Sequence, residues 1–331
     1  MYVGTQFRAR HETDMKVLAQ LGVEHVDVTP EEHWTEWTVD LLTSYREKYA
    51  KYGINVETMH SPLGSRDAFN NDMTYLFLDP SDPEVRDNRE RELDNLCEII
   101  RMASQAGLRG LLYNITILGH LRTPPRYGRG GATLSSFKYA DLDQSMPEFE
   151  GGAADADTMW ERIDYFLGRI MPVAEEYKVQ MACHPQDPGI KDNEYRGVAR
   201  VMGTVEGLKK FEAMHENPYH GFNFCQGTVS EMLENPGEEI YDVIRYFGSR
   251  KKIFNVHFRN IKGGVLDFVE VFPDEGDVNM LKAARTYKEV GYPYMLMPDH
   301  VPGIDGEEAP QVGFAYCYGY IHAIIQAVNE E

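Results

Sequence analysis

Two hydrophobic periods alternate along this chain. Short apolar runs with strand character occupy residues 1–6, 23–28, 54–60, 108–115, 178–184, 221–225, 252–258 and 293–297. Each is followed by a segment whose apolar residues recur at helical spacing: residues 14–21, 39–52, 83–106, 158–177, about 204–216, about 238–247, 278–290 and 313–328. Gly22, Gly53 and Gly107 stop the first three helices, because glycine readily takes the left-handed conformation that ends a helix. The third helix carries Leu93, Leu96, Ile99, Ile100 and Ala103 on one face and charges on the other. Asp277 is a candidate N-cap for the seventh helix.

Eight strand–helix units in succession imply a parallel sheet with right-handed crossovers, and their number and length predict an α/β fold, a closed (β/α)8 TIM barrel forming a single domain over residues 1–331. An open doubly wound sheet fits less well, since no glycine-rich phosphate fingerprint follows the first strand; no nucleotide cofactor is expected. The fourth strand is followed by a long loop, residues 116–157, in which no regular structure is predicted. Connections beyond about 15 residues tend to be functional covers or disordered insertions. This one holds Arg122, Arg126 and Arg129 beside the flexible run 128–131, so it reads either as a solvated insertion or as an active-site cover that brings cations to an anionic substrate.

Composition narrows the partners. With 53 acidic against 33 basic residues and a formal charge of -20, the chain lacks the basic face that nucleic acid or an anionic membrane requires. No stretch approaches the roughly 20 apolar residues of a membrane span, and no basic segment followed by an apolar one opens the chain. A cytoplasmic protein acting on a small molecule is expected, with a homo-oligomer left open. Four scattered cysteines, Cys97, Cys183, Cys225 and Cys317, do not make a disulfide framework in a chain of 331 residues, which leaves a reduced thiol free to serve as a ligand.

The candidate chemistry lies at the ends of the last four strands. His184 closes the fifth, Cys225 the sixth and His257 the seventh, and Asp299 follows the eighth. In a TIM barrel the carboxyl ends of the strands carry the active site, so these four side chains are predicted to converge on one metal ion. Any one alone would read as a hydrogen-bonded histidine or a small buried cysteine. Two imidazoles, a thiolate and a carboxylate suit a borderline transition metal rather than magnesium or calcium, leaving zinc, iron(II), manganese(II) and cobalt(II) open. Around them, Arg259, Asn260, Asn114 and His60 are candidate substrate-binding residues. His300 is a candidate acid–base group whose pKa a neighbouring cation would lower. The aromatic run 313–320 supplies mostly core rings, with one phenol able to reach the site.

Five blocks, His184-Pro185-Gln186-Asp187-Pro188, Cys225-Gln226-Gly227-Thr228, Val256-His257-Phe258-Arg259-Asn260, Glu275-Gly276-Asp277-Val278-Asn279-Met280 and Met297-Pro298-Asp299-His300, resemble the successive motifs of the mannonate dehydratases. The resemblance implies a xylose-isomerase-like TIM barrel, manganese(II) or iron(II), and conversion of D-mannonate to 2-keto-3-deoxy-D-gluconate in hexuronate breakdown. It implies that His184, Cys225, His257 and Asp299 hold the metal and that His300 moves protons. Gln186-Asp187 stands where the family usually has two aspartates, and the family's C-terminal tyrosine falls on Phe314 or Tyr316.

Dehydrating a 2,3-dihydroxy acid needs a base for the carbon-bound proton and an acid for the departing hydroxyl. His300 and Tyr316 are the candidate pair, and Arg259 or one of Arg122, Arg126 and Arg129 is the candidate carboxylate clamp. The readings to be separated from this one are dehydration of a different aldonic or uronic acid, a metal-dependent sugar isomerase or epimerase on the same barrel, and a sugar-acid-binding protein with structural zinc.

Overall fold

A computed structural model describes residues 1–190 and 194–330. Eight of its strands are β1 (Tyr2–Thr5), β2 (His25–Val28), β3 (Asn55–His60), β4 (Gly110–Asn114), β5 (Gln180–His184), β6 (His220–Cys225), β7 (Ile253–His257) and β8 (Met295–Met297). They close a barrel in the order β1-β8-β7-β6-β5-β4-β3-β2, every neighbouring pair parallel. The helices outside it are α1 (Glu12–Gln20), α2 (Val39–Ala50), α3 (Pro83–Gln105), α4 (Ala156–Tyr177), α5 (Val205–Ala213), α6 (Pro236–Ser249), α7 (Met280–Glu289) and α8 (Ala309–Glu330), with a single-turn helix at Gln226–Ser230.

Local chemistry accounts for where these helices start. Thr38, Asp82, Asp155 and Thr204 each accept a hydrogen bond from a first-turn amide of α2, α3, α4 and α5. The α7 cap is Asn279, which accepts from Lys282 N. Asp277, the expected cap, lies two residues too early and instead accepts from Gly263 N, tying the β7 excursion to the start of α7. The apolar stripe of α3 is buried as its periodicity predicts: Leu93, Leu96, Ile99, Ile100 and Ala103 all sit in the main core.

The connection 116–157 departs from expectation. It contains an antiparallel hairpin, Thr123–Tyr127 with Thr133–Lys138, which pairs with a second hairpin after β7, Asn260–Gly264 with Asp267–Val271. Leu134, Val269 and Val271 form a small apolar cluster of their own between them. The hairpin escapes sequence reading because its outer strand, Thr-Pro-Pro-Arg-Tyr, carries two prolines that only a sheet edge tolerates, and because its partner strand comes from more than 120 residues later. This four-stranded sheet is anchored to the loop after β8 through the Thr133–Gly303 bridge.

Candidate metal centre

His184, Cys225, His257 and Asp299 are all buried, and one ligand atom from each lies within 4.8 Å of the others. Barrel register explains the meeting: Cys225 pairs with His257 across β6 and β7, and His257 with Met297 across β7 and β8, just before Asp299. His184 Nδ1 lies 2.7 Å from the carbonyl of Pro185, so its proton is held there and Nε2 keeps a lone pair. His257 Nδ1 is buried with no hydrogen-bond partner among the described residues, 3.4 Å from Asp299 Oδ1. Cys225 Sγ accepts from Thr228 N and lies 3.6 Å from Asp299 Oδ2, while Gln6 Nε2 donates to Asp299 Oδ1 at 2.7 Å. Nitrogen, sulfur and oxygen donors with free lone pairs at one spot fit a divalent transition metal.

Electrostatics around the four are steep. Burial lowers the His184 pKa. Burial also works against charge on His257 and Asp299, but their mutual attraction prevails, raising His257 and holding Asp299 well below the ordinary carboxylate range. His300 is raised to about 9, chiefly by Asp299, with burial opposing and Glu270 adding. The lowering expected for His300 presupposes a cation's charge; the protein's own groups act in the opposite sense, because Asp299 and Glu270 flank the ring. His300 Nδ1 sits 2.7 Å from Glu270 Oε2 and 2.8 Å from Arg259 Nη1, so only one of these can be a hydrogen bond in a given protonation state.

A second cluster adjoins the first. Asp187, Glu231 and Glu270 also bring three buried carboxylate oxygens within 4.8 Å of one another, but two guanidinium groups already fill their midst. Arg259 Nη2 donates to Asp187 Oδ2, Thr228 Oγ1 and Glu231 Oε1, and Arg259 Nη1 lies 3.1 Å from Glu270 Oε1 and 3.2 Å from Asp299 Oδ2. Arg122 bonds Asp187 through both Nη atoms and Glu270 through Nη2. Gly227 makes room for this: a Cβ there would lie 2.2 Å from Arg259 Nε. Burial, then Asp187, pushes the Glu231 carboxyl well up, whereas Glu270 falls to about 2 because Arg259 and His300 outweigh its burial.

Several candidate residues find other work. Arg259, its side chain 1% exposed, has its two Nη atoms among Asp187, Glu231, Glu270 and Asp299 and so sits as their internal counterion. Asn260 spends all its hydrogen-bonding capacity on main chain, donating to Pro273 O and Val278 O and accepting from Ile261 N and Val278 N. Gly276 of the Glu-Gly-Asp block lets it do so, since a Cβ there would overlap the Asn260 amide at 2.1 Å. Arg126 pairs with Asp267 across the two outer hairpins, and Arg129 with Asp274 just past the second. Tyr316, 41% exposed, packs on Phe272 and near Arg129. Phe314 packs on Phe7.

Asn114 and His60 do stand at the barrel rim. Asn114 pairs in register with His184, and His60 Nε2 lies 2.8 Å from Asp27 Oδ2; burial disfavours charge on His60, yet Asp27 prevails and raises it. Three contributors escaped the sequence reading. Gln6 follows β1 as the ligands follow their strands and could have been found by the same reasoning. His120, whose ring centroid is 5.7 Å from that of His184, sits in a loop with no periodicity to mark it, and burial lowers it to about 3. Arg8 is exposed at the end of β1, forms no ion pair among the described residues, and lines a cleft of about 410 Å³ that also includes Asp27.

A closed eight-stranded parallel barrel with a cluster of possible transition-metal donors at the carboxyl ends of its strands defines the class, a (β/α)8 TIM barrel. It is similar in fold to the xylose isomerase domain protein of Planctomyces limnophilus, with a TM-score of 0.61 and 15% identity over 100% of this chain and 98% of that one. The mannonate dehydratase of Streptococcus suis superposes with a TM-score of 0.82 at 20% identity, covering 99% of this chain and 93% of that one. In sequence, the mannonate dehydratase of Thermotoga petrophila is 27% identical over 308 residues, 82% of this chain and 80% of its own. A model of the family D-mannonate dehydratase (UxuA) matches residues 132–330, the part that holds all four clustered side chains. The chain belongs to the mannonate dehydratase family and is a dehydratase, a carbon–oxygen lyase. Among the described residues, no helix is long and apolar enough to cross a membrane.

Proposed function

We propose that the chain removes water from D-mannonate to give 2-keto-3-deoxy-D-gluconate, with manganese(II) or iron(II) held by His184, Cys225, His257 and Asp299. The observation that carries this reading is the convergence of two imidazole lone pairs, a thiol and a carboxylate at the barrel mouth of a dehydratase-family chain. A divalent ion there would stabilise the negative charge that develops on the acid group as the neighbouring carbon loses its proton.

The chain's own groups do the rest. His300, next to Asp299 in sequence and steadied at Nδ1 by Glu270, turns Nε2 to within 3.7 Å of Asp299 Oδ1 and is the group assigned to proton transfer. His120 on the far flank of His184 is the second imidazole positioned beside a bound acid, while Tyr316 packs on Phe272. Asn114, His60 and the partly exposed Arg122 are the rim groups proposed to meet the hydroxyls, and Arg8, which has no carboxylate partner among the described residues, the cation proposed for the substrate's carboxylate. Buried free cysteines suit a reducing cytoplasm.

The test is a panel of aldonic and uronic acids, assayed for 2-keto-3-deoxy product with manganese(II) or iron(II) supplied anaerobically. Turnover of D-mannonate that chelation abolishes is expected. Turnover of another acid with none of D-mannonate would move the substrate assignment, and aldose–ketose interconversion without dehydration would replace the reaction.

A further inference from the structure

Below the metal cluster, inside the barrel, lie two asparagines where a barrel interior ordinarily carries apolar side chains. Asn223 and Asn255 are 1% and 0% exposed. Buried amides are stable only when hydrogen-bonded, so each needs a defined partner. Asn255 Nδ2 donates to Asn223 Oδ1 at 3.0 Å, and Asn223 Nδ2 lies 3.2 Å from His257 Nε2. At the two ends of this chain of contacts, Asn255 Oδ1 and His257 Nδ1 are buried without hydrogen-bond partners.

We infer that Asn223 and Asn255 form an amide relay that decides which nitrogen of His257 carries the proton and thereby makes His257 a metal ligand. The inference rests on the ligand set proposed above. In the arrangement seen, Asn223 donates to Nε2, which leaves the ring proton on Nδ1, directed toward Asp299 Oδ1 3.4 Å away. A ligand nitrogen must offer a lone pair, so a neutral His257 that binds through Nδ1 carries its proton on Nε2, and that proton requires an acceptor. Asn223 supplies one by turning its amide over to present Oδ1. Its Nδ2 then faces Asn255, which accepts only if it turns over too, presenting Oδ1, the very atom now without a partner. Both turns exchange O for N without displacing the backbone or either side chain's outline. The relay thus has two self-consistent settings, one for the ion-free site and one for the loaded site. His184 differs: its Nδ1 proton is held by the fixed carbonyl of Pro185, so it is a ligand in either state.

The test is manganese(II) binding to chelator-stripped protein, followed by electron paramagnetic resonance of the free ion, with thermal unfolding of the ion-free variants as a fold control. Asn223→Leu removes the acceptor at nearly constant shape and is expected to weaken binding about 10- to 100-fold, the range for loss of a ligand-orienting partner. Asn223→Asp, an acceptor in any orientation, should bind at least as well as the parent protein. Asn255→Asp touches no ligand but locks Asn223 with Oδ1 toward His257, and should tighten binding roughly three- to tenfold by removing the competing setting. Asn255→Leu should weaken it by less than Asn223→Leu. Equal weakening by the leucine and aspartate variants at 223, or unchanged binding in Asn223→Leu, would overturn the relay. If Asn223→Leu does not fold, the opposite signs expected at 255 decide. Parent protein that binds no manganese(II), or Cys225→Ser that binds it undiminished, would instead overturn the ligand set itself.

Discussion

Two buried clusters lie side by side at the mouth of this barrel, each bringing acid or metal-ligand side chains within 4.8 Å of one another, and they do different things. His184, Cys225, His257 and Asp299 meet with donors of three kinds, one imidazole proton held on a carbonyl and another nitrogen without a partner. Asp187, Glu231 and Glu270 meet around Arg122 and Arg259. The first offers donor atoms that could hold a cation from outside; the second carries its cations in covalent form. Proximity of ligand-type residues is therefore a poor guide to a metal site until the positive groups among them have been counted.

Removing a donor from the first cluster should have the largest effect. His257→Ala is expected to lose metal on dialysis and at least about 10³-fold in turnover; metal analysis of the dialysed protein checks it, and a full complement of bound ion would erase the distinction between the clusters. His300 touches both. His300→Asn should keep its metal while kcat falls by about 10²- to 10⁴-fold, the range for a lost acid–base group, so metal content and rate must be read on one sample. Removing the cation from the second cluster should cost stability rather than metal. Arg259→Met strands buried carboxylates and is expected to destabilise by about 3–5 kcal/mol, read from the urea midpoint. A loss under about 1 kcal/mol would mean that the guanidinium is not their counterion.

Within that second cluster the carboxylates are unequal, which sharpens the comparison further. Glu270 is held at about 2 against an ordinary 4.5, so its ionised form stabilises the fold above about pH 4.5, and that contribution is lost as pH falls toward 2. Glu270→Gln should therefore be less stable than the parent near neutrality and converge with it in acid; a constant difference across that window would contradict the assignment. Glu231 is pushed the other way by burial and by Asp187, so Glu231→Gln should cost less stability near neutrality than Glu270→Gln, read from the two urea midpoints.

Much of the first cluster was legible in the sequence, and little of the second. His184, Cys225 and His257 each terminate an apolar run, and Asp299 follows one, so period and spacing were enough to place all four at one rim. Arg259 was read as a clamp because it stands just past a ligand, and only packing revealed carboxylates on every side of it. Asn260 looked like a site residue for the same reason, yet it braces the start of α7. Arg126 pairs with Asp267, Arg129 with Asp274 and Arg122 with Glu270, partners on or just past a hairpin more than 120 residues away, which no local pattern announces. Tyr316 is a candidate through the resemblance alone, and it packs on Phe272, just past the second hairpin.

By itself, the sequence determined the eight strand–helix units, the end of the barrel where chemistry gathers and the kinds of donor that meet there, because hydrophobic period and strand termini are local properties. Tertiary structure alone decided which charges neutralise one another, which loop residues approach His184, and that Asn223 and Asn255 lie in line with His257. Those outcomes depend on strand register and on hairpins that pair across half the chain. The electrostatic character of a buried group is set by whichever side chains the fold places within a few ångströms of it.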